Sequence, residues 1–225
     1  MSKRCLTLVL GAFEPEVAHL REAIRAEQDV FIDTCGVGLV DAGIGCARSI
    51  EKLKTRLESD DRTIEDIRVV YVGSVGAYAA SDEELDSGFV RASRVSLLDS
   101  AVCIGDAFFP SIMEVSCKRE SADEPLLDVV PSDYSIIEAP VYSTLAITRS
   151  EALGKLLSEQ HSARFESLEL FAIARCCNIM SIPWDSIMPI TNAIGPSGHK
   201  QWLAIHEKKA NLLGPELLFS INMSK

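Results

Sequence analysis

The sequence predicts an α/β protein: one domain over residues 1–225, in three layers, with a central mixed, twisted β-sheet flanked by helices. Three observations predict it. Strand-like and helix-like stretches alternate along the chain. Several strands, such as CLTLVL and DIRVVYV, are apolar on both faces, which requires cover on both sides of the sheet. Three strand ends also carry small, backbone-exposing residues (Gly11-Ala12, Gly73-Ser74-Val75-Gly76 and Thr191-Asn192), and ligands bind at the carboxyl edge of such sheets.

The elements follow in order. Residues 5–10 form a buried strand closed by Gly11. Pro15 opens a helix with Val17, Leu20 and Ile24 at helical spacing, where its missing N–H costs nothing. Residues 29–35 and 36–41 read as two short strands separated by a glycine break. Gly43 and Gly45 open a helix over 46–57, and a Ser-Asp-Asp-Arg loop follows. Residues 66–72 are the next buried strand. Residues 89–98 and 101–104 read as further strands. The poorly patterned, charged segment 108–131 reads as an excursion that covers a site. Strands are expected at 134–139 and 141–148, then a helix capped by Ser150. The last helix spans 199–213.

The stretch Phe165–Trp202 organises the rest. An apolar helix carries one acid, Glu169, inward. After Pro183 a short strand ends in Thr191-Asn192, before a Gly-Pro and Ser-Gly loop.

Composition narrows the function. A net charge of −11 argues against a nucleic-acid partner, because phosphate binding needs a basic face. No apolar run is long enough to span a bilayer. The seven cysteines have no CxxC and no Cys/His ligand spacing, which points to a reducing cytosol and to no structural metal. The four histidines read as surface or helix-start residues, and Trp202 as core.

Five motifs in order resemble the nucleoside phosphorylase/nucleosidase superfamily, in its bacterial nucleosidase branch. They are Gly11-Ala12-Phe13-Glu14-Pro15-Glu16-Val17, Gly36-Val37-Gly38, Gly73-Ser74-Val75-Gly76, Leu168-Glu169 and Thr191-Asn192. Together they cover most of the chain, from Leu6 to Trp202. The final run ITNAIGPSGHKQW is similar to futalosine hydrolases, the nucleosidases of the alternative menaquinone route. Relatives acting on methylthioadenosine and S-adenosylhomocysteine carry Asp where Asn192 stands. Asn can both accept and donate, which suits a 6-oxo purine.

The resemblance implies hydrolysis of the N-glycosidic bond of a purine nucleoside. It implies no cofactor, a cytoplasmic location and a homodimer. Its catalytic residues would be Glu16 (general base for water) and Asn192 (contact to the base). Its substrate-binding residues would be Ser74, Gly76, Leu168, Glu169 and Thr191, with Glu169 accepting from the ribose hydroxyls. The chemistry agrees: an oxocarbenium-like sugar needs negative charge, a positioned water and a hydrogen-bonded leaving group. No basic residue flanks Gly36–Gly38 or Gly73–Gly76, so water rather than phosphate is the expected nucleophile.

The chain also departs from the branch. Met188 stands where an Arg is usual, Ser167 where a Glu is common, Leu168 in place of Met, and Gly88-Phe89 where the branch has Gly-Asp. These changes keep two alternatives open: a methylthioadenosine/S-adenosylhomocysteine nucleosidase with an altered base pocket, and a non-catalytic nucleoside-binding protein of the same fold.

Overall fold

In the computed structural model, residues 6–24, 29–59, 67–78, 81–119 and 135–213 are described. Cys5, most of the Ser-Asp-Asp-Arg loop and the part of the excursion after Arg119 lie outside them. Strand β1 (Leu6–Gly11) pairs in parallel with β2 (Val30–Thr34) on one side and β3 (Ile67–Tyr71) on the other; β9 (Trp184–Ser186) extends the row beyond β3. Alternation along β1 explains the layers. Leu6, Leu8 and Leu10 face one cluster with Cys46, Ile50 and Leu53 of helix α2 (Leu39–Ser59) and with Leu170 and Ile173 of α6 (Leu170–Ile179). Val9 faces the other way, onto Val17 and Leu20 of α1 (Glu14–Ala23). A strand buried on both faces is therefore apolar throughout.

The chain continues from β3 into β4 (Val75–Ala77) and from β9 into β10 (Met188–Ala193), and both enter a second, mixed sheet. Its other strands are β5 (Gly88–Leu97), β6 (Ser116–Lys118), β7 (Ser135–Ser143) and β8 (Phe165–Glu166), in the order β10-β4-β8-β7-β5-β6. Antiparallel pairing of Met188 with Val90 and of Pro189 with Phe89 brings β10 back against β5, so five of these strands close on themselves.

Three local expectations are corrected. Residues 36–41 are not a strand: Gly36 and Gly38 sit at φ +96° and +83°, which turns the chain, and α2 begins at Leu39. Residues 101–104 are not a strand either. Asp99 accepts from the N–H groups of Ala101 and Val102 and caps a short helix, α4 (Ser100–Cys103). The two strands expected around residue 140 are one: β7 runs through Pro140, which lies opposite a register shift in β5. The capped helix α5 (Glu151–His161) starts at Ser150, whose side chain accepts from the Leu153 N–H. The remaining helices among the described residues are α3 (Asp82–Ser87) and α7 (Gly198–Ala210).

Candidate active site

The carboxyl ends of β1, β3 and β10 and the start of α6 open onto one cavity of about 370 Å³. Glu16, Ser74, Gly76, Leu168, Glu169, Thr191 and Asn192 all line it, although 176 positions separate the first from the last. No Lys or Arg among the described residues lines it.

Glu16 arrives from the first turn of α1 and is only 3% exposed. Its Oε2 accepts from the Ala12 N–H at 2.7 Å; its Oε1 accepts from the Ser74 N–H and Oγ, both at 3.0 Å. Its pKa is raised to about 7, chiefly by burial and further by the neighbouring Glu169, while these donors pull it down. Ser74, which the resemblance assigns to substrate binding, thus also holds the acid in place.

Glu169 is not inside a helix turn as expected from the sequence; it is the N-cap residue of α6. Its Oε1 accepts from the Gly38 N–H at 2.9 Å and its Oε2 from the Tyr71 hydroxyl at 3.0 Å, with Ser167 Oγ at 3.5 Å. Burial raises its pKa against these donors. Tyr71 was missed by sequence reasoning, which read it as one apolar residue of DIRVVYV. It is fully buried, and burial together with the two acids keeps its hydroxyl protonated as a donor. A Cβ on Gly73 would lie 2.0 Å from the Tyr71 hydroxyl, so the glycine after the strand is what lets that hydroxyl through to Glu169.

Asn192 is aimed by a bulge. Ile190 pairs with Val75 and Asn192 with Gly76, so Thr191 is the extra residue between them. The Thr191 hydroxyl donates to Asn192 Oδ1 at 3.0 Å, and Asn192 Nδ2 donates to the Ala193 carbonyl at 3.2 Å. Gln201 of α7 accepts from the Ala193 N–H at 3.0 Å and fixes the strand end.

Two further groups escaped sequence reasoning. Trp202 is a half-buried wall of the cavity rather than core. It stacks on His206 at 4.0 Å and on His199 at 5.8 Å, with Phe13 at 5.7 Å. His206 is buried in that stack, not on the surface; only the fold reveals it, because the spacing of α7 alone reads as a solvated face. The second is Glu166, a cavity-lining acid only 6% exposed. Nothing local marks it: it alternates with buried Phe165 as any solvent-facing residue of a strand would.

No protein-family model and no curated protein sequence matches the chain. Solved structures do. A Helicobacter pylori 5′-methylthioadenosine/S-adenosylhomocysteine nucleosidase mutant with 5′-methylthioadenosine in its active site superposes with a TM-score of 0.78 at 13% identity, covering 97% of this chain and 99% of that one. Futalosine hydrolase of Helicobacter pylori, also a mutant, gives 0.74 at 14% identity over 96% and 98%. A methylthioadenosine/S-adenosylhomocysteine nucleosidase from Colwellia psychrerythraea in complex with adenine gives 0.74 at 18% over 97% and 95%. The chain has the fold of these nucleosidases, within the nucleoside phosphorylase-like α/β architecture.

Proposed function

We propose that this protein hydrolyses the N-glycosidic bond of a purine nucleoside, with futalosine as substrate and hypoxanthine as the released base. The observation that carries the reading is the meeting of Glu16, Glu169 and Asn192 around one cavity that no Lys or Arg among the described residues lines. Glu169, held by neutral donors, accepts from the 2′- and 3′-hydroxyls and stabilises positive charge on the ribose. Glu16 takes a proton from water as its oxygen bonds to C1′. The C1′–N9 electron pair leaves with the purine, to which Asn192 Nδ2 donates at N7 or O6. A base with a pKa of about 7 is suited to accept that proton near neutrality. An amide at residue 192 supports a 6-oxo leaving group.

A second reading, methylthioadenosine/S-adenosylhomocysteine hydrolysis, is favoured by the structural likeness to nucleosidases with those substrates and by the apolar wall of Phe13, Val37 and Trp202. Incubation of the purified protein with futalosine and with methylthioadenosine separates the two by the base released. Binding without release of either base would leave a non-catalytic nucleoside-binding protein, the reading suggested by Met188 and Ser167.

The working unit is proposed to be a cytoplasmic homodimer. Val40 and Ile44 of α2 and Ile179 of α6 are 70%, 62% and 67% exposed, and Phe108 and Ile112 are more exposed still. Val40 and Ile179 line one cleft, and exposed large apolar side chains of this kind mark an association surface. Sedimentation of wild type against Ile44→Glu tests it: a monomeric wild type rejects the dimer.

A further inference from the structure

Glu166 has no role in the chemistry above, yet it is a buried carboxylate on the wall of the same cavity. Strand register puts it in a row. Asn192 of β10 lies opposite Gly76 of β4, and Gly76 lies opposite Glu166 of β8. Neighbouring strands are ~4.8 Å apart, so the two outer backbones stand roughly 10 Å apart across a glycine floor. A Cβ at Gly76 would come within 3.0 Å of Asn192 Nδ2, so the floor is open only because residue 76 has no side chain. The result is a slot for a flat ring, with an amide at one edge and a carboxylate at the other.

The carboxylate is held in one pose. The Tyr78 and Thr148 hydroxyls both donate to Oε2, the latter at 2.7 Å, while the Thr148 N–H donates to Oε1 at 3.1 Å. Burial and Glu166 itself keep the Tyr78 phenol protonated, so it remains a donor. No Lys or Arg among the described residues forms an ion pair with Glu166. Oε1 accepts one protein N–H, and a carboxylate oxygen can accept a second.

Resting on the nucleosidase reading, we infer that Glu166 selects the base: its Oε1 accepts the N1–H of a 6-oxo purine whose O6 or N7 is bonded by Asn192. A 6-oxo purine presents a donor at N1. A 6-amino purine presents a lone pair there, which faces the carboxylate unpaired and repelled. Glu166 is thus a specificity-determining residue, and the chain's substrates are 6-oxo rather than 6-amino nucleosides.

The test uses wild type and Glu166→Gln. Binding of hypoxanthine, 1-methylhypoxanthine and adenine is measured by calorimetry. Turnover is measured with 5′-methylthioinosine and 5′-methylthioadenosine, which differ only in the base. A hydrogen bond to a charged group predicts that wild type favours the 6-oxo member of each pair by ~10-fold or more. Glu166→Gln, which can donate to adenine N1, is expected to lower that ratio by ~10-fold or more. A purely structural role for Glu166 would lower both rates together and leave the ratio fixed, and that outcome overturns the assignment. If the variant fails to fold, wild type decides alone: equal affinity for hypoxanthine and 1-methylhypoxanthine, which lacks N1–H, overturns it. If wild type releases no base from either of these nucleosides or from futalosine, the nucleosidase reading falls. In that case preference for hypoxanthine over adenine still supports Glu166, and binding of neither overturns both.

Discussion

Two groups of buried acids in this molecule differ in their partners. Asp185 of β9, 5% exposed, is clasped by Arg91 through contacts of 2.6, 3.0 and 3.2 Å, and Arg119 lies 3.7 Å away and also bonds Glu138. Among the described residues Glu16 and Glu169, equally buried, have only neutral N–H and O–H donors, and Glu169 raises the cost of charging Glu16. An acid matched by guanidinium is a tie between strands: the Arg91–Asp185 contact fastens β5 to β9. An acid left without a cation keeps its negative charge available to a ligand and its proton affinity raised. The contrast separates scaffold from chemistry where burial alone does not.

The comparison is broken most directly at Glu169. Glu169→Gln is expected to lose ~10²–10⁴-fold in kcat/KM while circular dichroism and the melting midpoint change little. Near-normal turnover would remove the ribose assignment. At the other group the losses should fall on stability. Asp185→Leu strands a buried Arg91 and is expected to cost ~3–5 kcal/mol in denaturant unfolding, whereas the double change Arg91→Met with Asp185→Leu recovers most of that. A double variant as unstable as the single one would mean that the pair is not the tie described.

Titration sharpens the contrast next. The Glu16 pKa is raised from 4.5 to about 7, so the folded state binds its proton more tightly than the unfolded chain. Its stabilising contribution is therefore present below about pH 4.5 and is lost as pH rises through about 7, a decline of about 3 kcal/mol. Over the same window the proposed general-base role predicts a rising kcat/KM, because a base works ionised. Glu16→Gln should flatten the stability slope and abolish the rate limb; a slope unchanged in the variant assigns it to other groups. The smallest effect is expected at Tyr71→Phe. Losing one hydrogen bond to a charged acceptor should reduce turnover by roughly 10-fold. A rate equal to wild type would show that the Gly38 and Ser167 donors suffice to orient Glu169.

Much of this was legible along the chain. The buried strands β1 and β3, the proline-opened α1 and the Ser150-capped α5 follow from residue pattern, because each depends on neighbours within a few positions. Glu169 was legible as an acid in an apolar run, and Asn192 as the polar end of a strand. The helix at residues 100–103 was not, because the apolar string Ala-Val-Cys-Ile reads as strand until the Asp99 cap is placed.

By itself the amino-acid order determined the layered α/β architecture and the candidates Glu16, Ser74, Glu169 and Asn192, since hydrophobic periodicity and turn chemistry are local signals. Tertiary structure alone decided which groups hold those acids and which further acid joins them. Tyr71 reaches Glu169 across 98 positions, Tyr78 reaches Glu166 across 88, and Arg91 claims Asp185 across 94. A side chain's proton affinity and partners are set by whatever surrounds it in space, and only the register of strands far apart in the chain supplies those surroundings.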